Sequence, residues 1–436
     1  MTHKLDGDHL MSVDALARVE GEGAMRVRIT DGQVSEVELR IYEPPRFFEG
    51  LLRGRGYQEA PDITARICGI CPVAYQTSAC QAIEAAFDVQ LPEEVRLLRR
   101  LLYCGEWVES HALHVYLLHA PDFLGYDSAI EMAHDHKDVV ERGLRLKKAG
   151  NALMALVGGR AVHPVNVRVG GFYRLPDRDR MAELRPALAA ALDDALATVT
   201  LVAGFDFPEL EQPHEYVSLR PAGADYPIER GTVVTSSGLT FEPEQFDRHL
   251  LEEQVEWSTA LHSRLADGGG SYVVGPLARY SLCSDRLSPL AAEVAAEAGL
   301  GPTCRNPFRS IVVRAVETVY ACEEALRIID GWDGAAAAAA HVEPRAGIGY
   351  GATEAPRGTL FHRYELAADG TILDARIVPP TAQNQASIEA DLKGFVQANI
   401  ALEDDELRHR CEQAIRSYDP CISCATHFLD LHVERS

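Results

Sequence analysis

The chain has 436 residues, 47% of them hydrophobic, which is ample for a large core. At roughly 150 residues per domain, that length predicts about three domains, or fewer large ones. Acidic residues outnumber basic ones 65 to 42, giving a formal net charge of −23. A surface of that sign repels phosphate backbones and excludes nucleic acid as a natural partner.

From the start, "MTHKLDGDHLMSVDALARVEG" has no apolar signal core. No run of about 18 apolar residues is evident, so no membrane span is expected. The strands "AMRVRIT" and "QVSEVELRIYE" flank Asp31-Gly32, a hairpin turn signal. Helical patterns follow over 92–118, 134–157, 181–204, 243–266, 287–299 and 309–331; in the first, Val95, Leu98, Leu101 and Leu102 recur at helical spacing. A small-residue connection, "DGAAAAAAHVEPRAG", precedes a second hairpin, "TLFHRYEL" and "TILDARIV", turning at Asp369-Gly370. Helical stretches at 386–402 and 404–416 lead to the C-terminal "DPCISCATH". Antiparallel strands bring residues equidistant from their turn together. Arg357 and Thr381 are therefore expected side by side at the open end of the second hairpin.

Ten cysteines are too few for a disulfide framework in a chain this long, and they suggest a reducing compartment with metal or redox use. Four form two Cys-x-x-Cys pairs, Cys68/Cys71 and Cys421/Cys424, about 350 residues apart. Two such pairs can make a tetrahedral zinc site, but structural zinc usually takes pairs about 15–20 residues apart. A thioredoxin-like couple would leave the second pair unexplained. Four thiolates also suit a soft, redox-active transition metal, and thiolates can bridge two metals. Cys80, Cys104, Cys283, Cys304, Cys322 and Cys411 lack paired spacing and read as packing residues.

The residues around both pairs, "ARICGICPVAYQTSACQAIEAAF" and "RSYDPCISCATH", resemble the two cysteine motifs of nickel–iron hydrogenase large subunits. "LARVEGEGAMRV", "EPPRFFEGLLRGR", "GGRAVHPVNVRVGG", "EAPRG" and "PPTAQN" resemble further motifs of that family in the right order, from about residue 12 to 427. The wording "EPPRFF" and "ICPVAYQ" looks like the alpha subunit of soluble, NADP-linked hydrogenases, or sulfhydrogenases. One departure from membrane-bound uptake enzymes is Ser110 in "ESHALHVY", where they carry an aspartate.

The resemblance implies an α+β fold, mostly helical, with small antiparallel sheets near the N-terminus and in the C-terminal half. Residues 1–427 would form one large domain, since both pairs must meet, and 428–436 a tail removed after His427 by a maturation endopeptidase. Cys68 and Cys421 would be terminal nickel ligands, and Cys71 and Cys424 would bridge nickel to an iron carrying cyanide and carbon monoxide. Arg357 would project over the open metal position. Thr381 and the backbone near Pro379 and Pro380 would donate hydrogen bonds to a cyanide. Glu20 would take the first proton beside Cys421. Glu49 and His427 would hold magnesium, the histidine on resemblance alone because magnesium prefers oxygen. His111 and His114 share a helix face, and their plainer reading is buried core; His163 would shape the site through a His-Pro turn.

The implied activity is reversible oxidation of H₂ to protons and electrons in the cytoplasm, with a possible sulfur reductase side activity of the complex. No cysteine array remains for an iron–sulfur cluster. "GIGYGA" leads into a strand rather than a helix, unlike a dinucleotide loop. Electrons would therefore leave through a small subunit with iron–sulfur clusters to diaphorase-type subunits binding flavin and NADP(H), or NAD. The rival readings are a non-catalytic relative of the complex I quinone subunit, which lacks the cysteines, and a zinc-binding structural protein.

Overall fold

The structure is a computed structural model that describes residues 8–266 and 268–426. The first hairpin forms as expected: β1 (Asp8–Val13), β2 (Gly23–Thr30) and β3 (Gln33–Ile41) make an antiparallel sheet turning at Asp31-Gly32. Short helices α1 (Phe48–Leu52) and α2 (Ala60–Thr64) precede α3 (Pro72–Phe87), which carries Cys71 at its head. Then come α4 (Glu93–Leu113), a π-helical turn at His114–His119, α5 (Ala120–Leu124), α6 (Ala129–Asp135) and α7 (Lys137–Gly158). The short pair β4 (Val167–Arg168) and β5 (Gly171–Phe172) leads to α8 (Arg178–Ala203). α4 packs against α7 and α12 (Ser310–Asp330), and α8 touches both of those, so four long helices form a ring.

Helix α8 departs from one expectation. By length and composition it is apolar enough to cross a membrane. Asp193 and Asp194 interrupt it, however, and Asp194 receives two hydrogen bonds from Arg145. Its buried apolar residues, Met181, Leu188, Ala191, Ala195, Val199 and Val202, recur at helical spacing and make one face for α7 and α12.

The middle of the chain adds a four-stranded sheet in the order β11-β6-β7-β8, from β6 (Glu215–Arg220), β7 (Thr232–Thr235), β8 (Thr240–Phe241) and β11 (Tyr272–Val273); β11 runs parallel to β6. The expected helix over 243–266 does not form. A 3₁₀ turn and α9 (Phe246–His249) give way to the hairpin β9 (Leu250–Glu253) and β10 (His262–Leu265). Long-range bonds outweigh the local propensity there: Thr259 donates its N–H to Ile41, Trp257 binds Glu389, and Arg376 reaches Asp247 and Glu252. Helices α10 (Pro276–Cys283) and α11 (Pro289–Glu297) lead into α12.

The second hairpin is a three-stranded sheet. β12 (Gly347–Ala355) joins β13 (Gly358–Leu366) and β14 (Ile372–Val378). The "GIGYGA" glycines belong to β12 and admit α3: a Cβ on Gly349 would stand 1.9 Å from the Ala82 carbonyl oxygen. Helix α13 (Pro380–Ala398) starts six residues before its expected position, with Pro380 at the first helical place, where the missing N–H costs nothing. Thr381 thus sits on a helix rather than an extended strand end. The chain closes through α14 (Asp404–Ser417) and the single turn α15 (Ile422–Ala425).

Candidate metal centre

The four paired cysteines meet. Their sulfurs lie within 4.8 Å of one another, and each residue is at most 3% exposed. Cys68 Sγ is 3.4 Å from Cys421 Sγ, and Cys71 Sγ is 3.5 Å from Cys424 Sγ. The pairs thus face each other, one on the loop into α3 and the other on the turn α15. Hydrogen bonding from the three neighbouring thiols pulls the Cys68 thiol well down, while burial pushes Cys421 well up. Four soft, crowded and buried sulfurs are a donor set for a soft transition metal.

Arg357 completes one wall. Its Nε donates to the Asp419 carbonyl at 2.9 Å, and its Nη2 donates to Asp419 Oδ1 at 2.9 Å. Nη1 is buried without a hydrogen-bond partner. Burial opposes the charge of Arg357, but Asp419 and the sulfurs of Cys421, Cys71 and Cys68 outweigh it, and the group stays a cation. Asp419 holds this pose from the left-handed region, at φ 51°. Behind Arg357, the fully buried Arg279 donates to the carbonyls of Ala355 and Pro356 and to the carboxylates of Glu317 and Glu354. The turn carrying Arg357 is therefore clamped from below. Burial pushes the Glu317 carboxyl up, but Arg279 dominates and holds it at about 2.

On the other side, Cys421 donates its N–H to Thr381 Oγ1 at 2.9 Å. The ladder between β13 and β14 ends at Phe361 and Val378, and beyond it Arg357 and Thr381 both bind the 419–421 segment, as the hairpin argument expected. Pro379 and Pro380 have no N–H; the donors they place at the head of α13 are those of Thr381 and Ala382. Glu20 forms an isolated parallel bridge with Cys421. Its Oε2 lies 3.2 Å from Cys421 Sγ and accepts the Ser423 N–H at 3.1 Å. Burial, and after it the Cys68 charge, push the Glu20 carboxyl up.

Several contributors carried no role in the sequence reading. Arg46, within "EPPRFF", donates to the carbonyl of Ile67 at 2.7 Å and to that of Ser423, joining the two cysteine motifs. Ser423 Oγ donates to Glu43 at 3.0 Å. Asp419 stands two residues before Cys421 in "DPCISC", the one local signal that could have found it. Arg279 had no local signal at all.

The remaining candidates fall outside the sulfur cluster. Glu49 is half-buried at the head of α1 and accepts the Ile377 N–H at 2.6 Å. His427 and the tail 428–436 lie outside the described residues. His111 Nε2 is 3.0 Å from Glu317, and His114 Nε2 is 2.7 Å from the Arg416 carbonyl; both are buried structural groups, in line with the plainer reading. His163, at φ 48°, donates from Nδ1 to the Ala65 carbonyl at 2.6 Å and so shapes the loop ahead of Cys68. The six other cysteines are buried and unpaired.

Comparison with known proteins matches this geometry. The family model described as nickel-dependent hydrogenase matches residues 46–142 and 270–427. The alpha subunit of sulfhydrogenase 1 from Pyrococcus furiosus is 35% identical over 430 residues, 97% of this chain and 98% of that one. The alpha subunit of sulfhydrogenase 2 from the same organism is 33% identical, covering 97% and 100%. Among solved structures, an NAD⁺-reducing [NiFe]-hydrogenase in its H₂-reduced state superposes with a TM-score of 0.88 at 27% identity, over 96% of this chain and 99% of that chain.

Proposed function

This chain belongs to the nickel-dependent hydrogenase family, and from that premise we propose that it is the hydrogen-splitting subunit of a cytoplasmic complex that exchanges electrons with NADP or NAD. It is the catalytic large subunit of a nickel–iron hydrogenase. The carrying observation is the cluster of four buried sulfurs, with the buried Arg357 cation held up by their charge.

Cys68, Cys71, Cys421 and Cys424 would hold nickel and iron. When bound, such a pair makes H₂ acidic enough to surrender a proton and takes up the two electrons left behind. The rest is the work of side chains. Arg357, locked by Asp419, keeps a buried cation with one unpartnered Nη1 beside the sulfurs. Thr381 Oγ1 holds Cys421 in place by accepting its N–H, and its hydroxyl hydrogen would be left to donate to a cyanide ligand. Glu20 stands at hydrogen-bond distance from Cys421 Sγ, oriented by the Ser423 N–H, so a proton on that sulfur has a carboxylate waiting. Ser423 Oγ and Glu43 continue the chain of oxygens outward.

For the electrons, the sulfhydrogenase alpha subunits and the NAD⁺-reducing structure support a small subunit with iron–sulfur clusters and diaphorase-type subunits with flavin. A sulfur reductase side activity of the whole complex follows the same likeness. The family likeness supports Glu49 and His427 sharing a magnesium ion. Loss of residues 428–436 on maturation would let the second pair close.

Metal and infrared measurements on the purified complex test the reading together. About one nickel and one iron per chain, with bands from cyanide and carbon monoxide, are expected. Zinc at four sulfurs, or no metal and no bands, would overturn it. Intact mass should place the C-terminus of the active chain at His427.

A further inference from the structure

The head of α3 raises a problem of hydrogen-bond supply. The first N–H groups of a helix have no partner inside it, and the residue at the N-cap usually provides one from its side chain. Here the N-cap is Cys71, the first intrahelical bond runs from Tyr75 N to the Cys71 carbonyl, and Cys71 makes no side-chain cap. Its sulfur faces Cys424 instead. Pro72 has no N–H, so the unmet donors are Val73 and Ala74, both buried.

Glu106, on α4, meets both. Its Oε2 accepts from Val73 N at 2.6 Å and its Oε1 from Ala74 N at 3.1 Å. The residue is 0% exposed and makes no ion pair among the described residues. A buried carboxyl without a cation is costly unless hydrogen bonds repay it. Two backbone donors, aimed by a helix end, are that repayment. The second motif repeats the arrangement: Cys421 is the N-cap of α15, it too makes no side-chain cap, and Glu20 accepts the Ser423 N–H from a distance.

We propose that Glu106 is a positioning residue of the metal centre: it caps α3 in place of the committed Cys71 side chain and so sets the aim of the Cys71 sulfur. The proposal rests on the nickel–iron reading for what that sulfur binds, but the capping stands on geometry alone. Glu106 does not touch the reacting atoms. It acts through three residues of backbone, and its counterpart at the other pair, Glu20, does touch a ligand sulfur.

The test uses Glu106→Gln in the full complex, with Glu84→Gln as reference. Glu84 sits near the far end of the same helix, pairs with Arg99 through both oxygens and accepts Gly170 N. Glutamine keeps one acceptor for two donors. Glu106→Gln is expected to retain nickel and iron, to move the infrared bands of the diatomic ligands, and to lower turnover about fivefold at unchanged KM for H₂. In the full-length chain before metal insertion, alkylation of Cys71 should rise about fivefold relative to Cys80 on the same helix. Glu84→Gln should lower the melting temperature while leaving both bands and labelling ratio in place. Unmoved bands and an unmoved ratio in Glu106→Gln would make Glu106 a plain core acid and overturn the proposal. Wild-type complex without nickel would strike the metal reading instead, and the labelling ratio would still decide the capping. If Glu106→Gln does not bind metal, that ratio likewise decides.

Discussion

Cys71 heads a sixteen-residue helix of which only Gln81 and Ala85 fall outside the buried set, and the helix lies across β12 and β13. Cys421 and Cys424 lie on one turn of helix that almost nothing local supports. That turn is latched by the Glu20 carbonyl and carboxylate, Thr381, Arg357 and Arg46. The first pair is therefore part of the core and forms with it. The second is a closure, made when four remote segments are already in place. A site built this way can stay open until metal arrives and then shut on it.

Serine at any of the four cysteines should have the largest effect. Each substitution removes a soft donor from a cluster with no spare sulfur, so H₂ oxidation should fall below detection, at least about 10³-fold or 4 kcal/mol on the barrier. Serine at 68 or 71 should leave the fold intact, because α3 is held by packing. Measurable turnover in a fully metallated serine variant would break the assignment of that cysteine.

Glu20→Gln removes a group that can ionise and keeps one that can accept a hydrogen bond. Turnover and H₂/D⁺ exchange should fall together by about 100-fold, close to 3 kcal/mol, with the infrared bands almost in place. Wild-type exchange in that variant would send the proton elsewhere.

The comparison itself is open to a direct measurement. In the metal-free chain, amides of 421–426 should exchange at least about 30-fold faster than in the complex, whereas those of 76–86 should stay protected, since local opening follows local support. Equal loss at both places would show one cooperative unit instead of a core and a latch.

Arg46→Lys should act more mildly. A lysine can reach one of the two carbonyls but lacks the planar fork that spans Ile67 and Ser423. Nickel retained through purification should drop by about fivefold, with normal bands in the fraction that keeps it.

What could be read in advance follows the range of the interactions. The cysteine pairs, Glu20, Arg357 and Thr381 stand in short motifs whose spacing carries the chemistry, and they converge. Asp419 and Arg46 lay inside quoted motifs but needed the fold to receive a partner. Glu106 and Arg279 act across the chain, on residues 33 and 76 positions away, and no local pattern marks them. Helix α3 escaped notice because burial on nearly every side erases the apolar period. The 243–266 segment misled in the opposite sense, its helix-forming residues being drawn off by β3, α13 and β14. His427 and the tail stay with the expectations made from sequence.

The smallest expected effect lies beneath the latch. Glu389 on α13 accepts the Leu39 N–H of β3 and Trp257 Nε1, both at 2.8 Å and both on Oε1. Burial pushes its carboxyl from the ordinary 4.5 up to about 7. His262 Nδ1 is 3.9 Å away, but burial holds that ring down at about 4, so it is neutral and offers no counter-charge near neutrality. Because the folded value is raised, the folded chain keeps a proton that the unfolded chain gives up above pH 4.5. Stability therefore falls as pH rises from about 4.5 to 7 and the full cost is present above 7. A shift of about 2.5 units corresponds to about 3 kcal/mol; with 14% of the side chain exposed, solvent screening reduces this to about 2 kcal/mol. Glutamine can keep its one carbonyl at the Oε1 place and accept both donors. Glu389→Gln should match wild type in urea unfolding at pH 4.5 and exceed it by about 2 kcal/mol at pH 8. The same variant should slow exchange around Cys421 at pH 8, because α13 presents Thr381 to that turn, and leave the head of α3 unchanged. Stabilisation that reached both pairs equally would mean that the latch and the core share one support.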